Sequence, residues 1–191
     1  MNKNRMEAFS DGVVAILITI MILELRPPAG SDWAALQPII PSVLAYVLSF
    51  IYIGIYWNNH HHMLHATDRI NGTILWANLH LLFWLSLIPF TTAWMGRNYL
   101  ASVPTALYGC VLIMCAIAYF ILQNRIIKEE GPDSRLAAAI GGDRKGFTSL
   151  VLYASAIPLA FVRPWLADLL YATVAVLWFV PDSRIENRLR D

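Results

Sequence analysis

Long apolar runs separated by short polar breaks dominate the pattern of this sequence. The runs lie at residues 6–25, 36–57, 70–94, 102–123, 147–162 and 165–180. The first four reach the ~20 residues that a helix needs to cross a ~30 Å hydrocarbon core. Breaks such as RPPAG at residues 26–30 and GPD at residues 131–133 have turn chemistry. The pattern predicts an all-α membrane protein with six transmembrane helices, residues 1–191 forming a single domain.

Composition supports a lipid environment. The chain is 58% hydrophobic and only 14% charged, whereas soluble domains carry about 25% charged residues. The formal net charge of +1 gives no basic excess, so nucleic acid is not an expected partner. The bilayer itself is the expected surrounding of most of the chain.

The distribution of lysine and arginine predicts the orientation. If the N-terminus is cytoplasmic, eleven of the 14 basic residues fall on the inner side of the membrane. Positive residues accumulate in cytoplasmic loops, so both termini and the charged segment 124–146 should be cytoplasmic. The inner set is Lys3, Arg5, Arg69, Arg125, Lys128, Arg135, Arg144, Lys145, Arg184, Arg188 and Arg190, and the outer set is Arg26, Arg97 and Arg163.

The first helix carries a carboxylate inside the membrane boundary. Only twelve uncharged residues, about 18 Å of helix, separate Asp11 from Glu24, so a spanning segment must include Asp11. A buried carboxylate needs partners, and we expect Arg5, Ser10 and either Asn78 or His80 to supply them. Trp57 should lie at the same depth. We predict a structural polar network here, and direct ion binding or proton relay remains the alternative.

The rest of this helix carries an apolar stripe. Ile16, Ile20 and Leu23 recur at helical spacing, with Thr19 beside them. Such a stripe ordinarily faces lipid or packs against other helices. Pore lining is the alternative, in which rings of apolar side chains close by excluding water.

Three segments carry a distinctive set of motifs. The first is an Arg-x-x-x-Phe-Ser-Asp signature, here Arg5, Phe9, Ser10 and Asp11. The second is WNNHH at residues 57–61. The third is Asn78 followed by SLIPFTT at residues 86–92. Together they resemble the transmembrane protein 175 family of lysosomal potassium channels and their prokaryotic homologues. The resemblance covers roughly the first hundred residues, whereas the later helices match mainly in length and hydrophobicity.

The resemblance implies a potassium channel without the usual filter, and the sequence has no TVGYG loop. It implies that the first helices line the pore, with Ile16, Ile20 and Leu23 as the constriction and Thr19 affecting selectivity. Potassium loses hydration water at lower cost than sodium, which gives an apolar constriction a physical route to selectivity. The resulting preference for potassium should be modest. Four copies should be needed, as a homotetramer in a prokaryotic plasma membrane. No cofactor, metal or enzyme activity is expected.

Two other signals favour different functions. His60, His61, His62 and His65 form a dense cluster of possible metal ligands. No second cluster or Glu-x-x-His motif completes a catalytic site, so we expect an interfacial, solvated loop there. A secondary transporter of a small cation or solute is the main alternative function. No symmetric pair of interrupted helices supports it.

Overall fold

The computed structural model describes residues 3–67, 69–132, 134–140 and 144–179, and all regular structure within these ranges is helical. A short 3-10 helix (Trp33–Ile39) precedes the second α-helix. The helices are α1 (Lys3–Leu23), α2 (Ile40–His65), α3 (Gly72–Ser86), α4 (Ile88–Arg97), α5 (Ser102–Glu130), α6 (Arg135–Ile140), α7 (Arg144–Val162) and α8 (Pro164–Phe179).

The long helices run up and down a bundle, and polar contacts join their ends. At one end Lys3 Nζ donates to the carbonyl of His65, 3.3 Å away. At the same end, Glu130 at the end of α5 accepts from the backbone N–H of Arg69 at 2.8 Å, just before α3. At the other end the Glu24 carboxylate pairs with Arg97. Successive long segments are therefore antiparallel, as short connections require.

Two apolar cores hold the bundle together. One joins α1 to α2, α3 and α5, and Leu81 and Leu122 are fully buried in it. The other joins α2, α4 and α5 to α7 and α8 around Tyr108 and Tyr171. Helices α2 and α5 contribute to both cores, so they join α1 on one side to α7 and α8 on the other.

The predicted span at residues 70–94 is two helices rather than one. Helix α3 ends at Ser86, and α4 begins at Ile88 with a proline in its first turn. Pro89 has no N–H to donate to the preceding turn, and its ring excludes the carbonyl four residues earlier. The turn at Leu87 is the consequence. Pro158, by contrast, lies inside α7 without ending it.

Two helices continue well beyond their predicted ends. Helix α2 continues past Trp57 to His65, so the histidine cluster is helical and not a loop. Helix α5 continues past Gln123 to Glu130, and α6 occupies part of the predicted loop 124–146. The prediction ends both spans at the first polar side chains. A helix can nevertheless continue into the membrane interface, because polar side chains are solvated there. The end of the last predicted span, Val180, and the basic residues Arg184, Arg188 and Arg190 lie outside the described residues.

Five helical segments in the described part of the chain are long and apolar enough to cross a membrane. They are α1, α2 with its 3-10 extension, α3 with α4, α5, and α7. Helix α8 is apolar but has only 16 residues. The count of six spans and the cytoplasmic position of both termini stay predictions.

Helices α5 and α8 approach closely at Gly109. The hydroxyl of Tyr171 lies against this glycine and donates to the carbonyl of Thr105 at 3.1 Å. Tyr52 in turn donates to the carbonyl of Tyr171 at 2.6 Å, linking α2 to α8. A Cβ at Gly109 would overlap the Tyr171 hydroxyl, so this contact depends on glycine.

We therefore expect Gly109→Ala to destabilise the bundle by about 1–3 kcal/mol, the usual cost of overpacking a core. Gly54→Ala is the matched control, because no heavy atom lies within 4 Å of a Cβ built there. That change should be neutral or stabilising by up to ~1 kcal/mol. Thermal unfolding of the detergent-solubilised protein measures both, and equal melting temperatures for the two variants would contradict this packing.

Candidate functional site

Helix α1 has one face packed into the bundle. Its buried residues recur every three or four positions, which is the helical repeat, and each is at most 8% exposed. They include one polar residue, Ser10. The set is Met6, Ser10, Val14, Leu17 and Met21. This face is covered by α2, α3 and α4.

The opposite face of α1 is uncovered in the single chain. The side chains of Ile16, Ile20 and Leu23 are 59%, 42% and 76% exposed. Phe9 and Arg5 continue the same stripe towards the start of the helix and are also exposed. The predicted constriction residues therefore share one accessible face, one to two turns apart.

Thr19 lies on this exposed face beside Ile20. Its hydroxyl donates to the carbonyl of Ala15 at 2.9 Å. The donor is thus used within the helix, and the lone pairs of the oxygen remain available on the exposed side. A hydroxyl held in this way can accept a hydrogen bond or contact a cation, but it has no free proton to donate.

A buried hydrogen-bonded chain joins α1 to α3 and α2. Ser10 Oγ donates to the carbonyl of Met6 at 2.8 Å and accepts from Asn78 Nδ2 at 2.9 Å. The Asn78 Oδ1 atom then lies 2.7 Å from His60 Nε2. Because an amide oxygen only accepts, His60 must carry its proton on Nε2. All three side chains are buried.

A second set of contacts joins α1 to α2 in a regular antiparallel register. Asp11 Oδ1 accepts from Trp57 Nε1 at 2.9 Å, and Glu7 Oε1 lies 3.1 Å from His61 Nδ1. Lys3 reaches the carbonyl of His65 one turn further along. Residues 3, 7 and 11 on α1 thus meet residues 65, 61 and 57 on α2, one helical turn per step. The Trp57 and His61 rings also stack, with centroids 6.2 Å apart.

The structure brings together some of the expected network and not the rest. Asn78 and Ser10 are bonded to each other, whereas the carboxylate of Asp11 pairs with Trp57. No hydrogen bond between described residues joins Asp11 to Arg5, Asn78 or His80. His80 instead accepts from Trp84 Nε1 at 2.9 Å within α3.

The sequence analysis did not predict three residues of these polar contacts, which are His60, His61 and Glu7. Their signal was present, because residues 3, 7 and 11 and residues 57, 61 and 65 are each spaced by one helical turn. Assigning residues 58–65 to a loop concealed this spacing. The same assignment made the histidines look like free metal ligands. Among the described residues, no group of three His, Cys, Asp or Glu side chains could hold a metal ion.

Comparison with known proteins identifies the class of protein that this bundle represents. A profile of the family described as "Endosomal/lysosomal potassium channel TMEM175" matches residues 5–89. A potassium channel of Chryseobacterium sp. (strain P1-3) is 55% identical over the full length of both chains. The endosomal/lysosomal proton channel TMEM175 of Bos taurus is 31% identical over 84% of this chain and 37% of its own length.

A solved structure has the same fold. It is the crystal structure of a lysosomal potassium-selective channel TMEM175 homolog from Chamaesiphon minutus, which is 29% identical. The superposition covers 94% of this chain and 97% of that chain, with a TM-score of 0.79. This similarity confirms the predicted all-α membrane fold.

The protein is thus a multi-pass membrane protein of the ion-channel class. It belongs to the TMEM175 family, as the residues of the first three predicted helices indicated. The members of this family are ion channels and not enzymes.

The buried chain of Ser10, Asn78 and His60 should contribute measurably to stability. Asn78→Leu keeps the branched shape of the side chain but leaves the ring N–H of His60 without its partner. We expect a loss of about 1–3 kcal/mol for the unpaired buried group. Asn58→Leu is the matched control, because Asn58 is exposed on α2. Chemical or thermal unfolding in detergent gives the comparison. Equal stability of the two variants would contradict the role of these hydrogen bonds in anchoring α1.

Proposed function

We propose that the chain forms a potassium-permeable cation channel in a prokaryotic plasma membrane. It assembles as a homotetramer, with α1 of each copy around the central axis. The observation that carries this proposal is the uncovered apolar stripe of α1, opposite a face that is buried and polar-anchored. The bacterial relatives are described as potassium channels, which supports the choice of ion.

The stripe supports pore lining better than simple lipid exposure. It starts at Arg5 and Phe9 and is flanked by the Thr19 hydroxyl, whose oxygen keeps acceptor capacity in the middle of the helix, where lipid offers no partner. The fixed register of Asp11 and Trp57 sets the rotation of α1, so the stripe keeps one direction. In a tetramer that direction is the axis, where four stripes meet.

Tetramer formation follows from the size of the chain. A single chain contributes one α1, and one helix cannot enclose a pore. The bovine relative aligns with this chain over 37% of its own length, which fits two such units in one longer chain. Four copies of the single domain 1–191 would then supply the same number of units as two copies of the longer protein.

The constriction is formed by Ile16, Ile20 and Leu23. Rings of branched apolar side chains offer no group to replace the hydration shell of an ion, so a narrow ring excludes both water and ions. A small rotation or spreading of α1 admits water and opens the path. Potassium passes more readily than sodium because its dehydration costs less. Thr19 contributes the nearest acceptor oxygen.

The polar contacts of α1 have a structural role in this mechanism. Two sets of hydrogen bonds hold the first half of α1 in place while its apolar second half moves. One joins Asp11 to Trp57, and the other joins Ser10 to Asn78 and His60. Arg5 and Phe9 lie on the axial face and contact neighbouring copies. His80 accepts from Trp84 within α3 and takes no part in this mechanism.

Bi-ionic reversal potentials in planar bilayers test the proposal. Replacing Ile16, Ile20 or Leu23 singly with Asn should increase current at the narrowest of the three about tenfold, which corresponds to ~1.4 kcal/mol off the barrier. The same variant should lose preference for potassium over sodium. Thr19→Val should shift the reversal potential more than the open probability. Val176→Asn on the exposed face of α8 is the control, and it should change neither quantity.

Unchanged current and reversal potential at all three apolar positions would place the constriction elsewhere. Potassium flux into liposomes that requires a counter-ion gradient would instead indicate a secondary transporter.

A further inference from the structure

A cleft separate from α1 lies between α2, α5, α7 and α8. Its volume is about 250 Å³, and aromatic side chains form much of its wall, with Tyr56, Tyr153 and Trp178 among them. Phe120 and Phe147 also line it and are 56% and 70% exposed. The cleft is therefore open on one side, between α5 and α7, and apolar within.

The open side of the cleft faces away from the candidate pore. Helix α7 packs against α5 and α8, whereas α1 packs against α2, α3 and α4. The exposed stripe of α1 and the mouth of the cleft thus belong to different sides of the chain. A cleft on the α7 side of a membrane-spanning bundle opens laterally into the bilayer, so hydrocarbon reaches it without passing through water.

The cleft runs along the helices from one end of the bundle. Asn59 and Gly146 line it near the end that carries Lys3 and His65, and Tyr52 lines it deeper. Tyr52 and Asn59 are seven positions apart, which is about 10 Å along a helix. The cavity is thus an elongated apolar slot parallel to the bilayer normal, which is the direction of a lipid acyl chain.

Basic residues mark the interfacial end of the slot. Lys145 directly precedes Gly146 at the start of α7, and its carbonyl accepts from Ser149, another lining residue, at 2.8 Å. On α5, Asn124 lies one turn beyond Phe120 and donates to its carbonyl at 2.8 Å, and Lys128 lies one further turn towards the same end of the bundle. Basic pockets between helices at the cytoplasmic interface recognise anionic headgroups.

We propose that this slot binds one acyl chain of an anionic phospholipid, with the headgroup phosphate at Lys145 and Lys128. The aromatic walls provide the apolar surface, and each methylene withdrawn into them adds to the affinity. Ser149 is already bonded to Trp178 Nε1 at 2.8 Å, so the inner wall has a fixed shape. The lipid would stabilise the packing of α7 against α2 and α5, the two helices that also contribute to the core around α1.

Native mass spectrometry of the detergent-purified full chain, titrated with phosphatidylglycerol or phosphatidylcholine, tests this site. Wild-type protein should retain phosphatidylglycerol at lower concentration than phosphatidylcholine. Ala116→Phe fills the slot from α5 and should weaken phosphatidylglycerol retention about tenfold, the equivalent of fewer than two buried methylenes. Ala154→Phe, on an exposed position of α7 outside the slot, is the matched control and should bind as wild type does.

Charge variants separate the headgroup from the chain. Lys145→Gln with Lys128→Gln should abolish the preference for phosphatidylglycerol, because it weakens retention of this anionic lipid more than retention of zwitterionic phosphatidylcholine. Lys3→Gln, a basic residue at the same end of the bundle, should retain the preference. If Ala116→Phe lowers the melting temperature, Ala116→Leu replaces it as a milder filling variant and should give an intermediate loss.

Three outcomes would overturn the proposal: equal retention of the two phospholipids by wild-type protein, unchanged retention in the folded slot-filling variant, or an equal loss in Ala154→Phe. Retention of myristate with no retention of phosphatidylglycerol would likewise contradict it, since the occupant would then be a free fatty acid.

Discussion

The rotation of α1 about its own axis depends on its polar contacts with α2 and α3, and the rest of the account depends on that rotation. Apolar contact alone specifies rotation poorly inside a bilayer, because lipid tails are as apolar as the side chains they compete with. Hydrogen bonds are different, because lipid tails offer a polar side chain no alternative partner. Asp11 to Trp57 and Ser10 to Asn78 therefore determine which face of α1 is packed and which is left open.

The polar contacts of α1 are concentrated at its two ends. In the first half, residues 3, 7 and 11 contact the last turns of α2, and residue 10 is bonded to Asn78 on α3. The second half, from Val13 onward, packs through apolar side chains until the ion pair of Glu24 with Arg97 at the opposite end. A helix held at both ends and apolar between them combines fixed rotation with freedom to bend or spread where the constriction is proposed.

Hydropathy predicted the helical fold well because burial in lipid demands long apolar helices with internally satisfied backbones. Hydropathy did not predict the features of the fold whose physical cause is something other than hydrophobic burial. The break at Leu87 arises from the missing N–H of Pro89 within a continuous apolar run, and the run itself gives no signal of it. The extension of α2 to His65 was missed because polar histidines and asparagines ended the predicted span at Trp57.

The candidate site was predicted in part for the same reason. Ser10, Asn78 and Trp57 were recognised because they are polar residues within apolar segments, where each must find a partner. His60 and His61 were not, since the assignment to a solvated loop removed that requirement. Helical spacing places Ile16, Ile20 and Leu23 on one face, and all three are exposed in the single chain, but sequence periodicity does not distinguish a face towards lipid from one towards a second copy.

Cysteine accessibility during current recording tests most directly whether this face of α1 lines the ion path. In a background with Cys110 and Cys115 replaced by Ser, Ile20→Cys would be compared with Met21→Cys on the buried face and Val176→Cys on the lipid-exposed face of α8. The account predicts that a water-soluble, charged thiol reagent blocks current only in Ile20→Cys. Block in Val176→Cys or Met21→Cys, with Ile20→Cys unaffected, would contradict it.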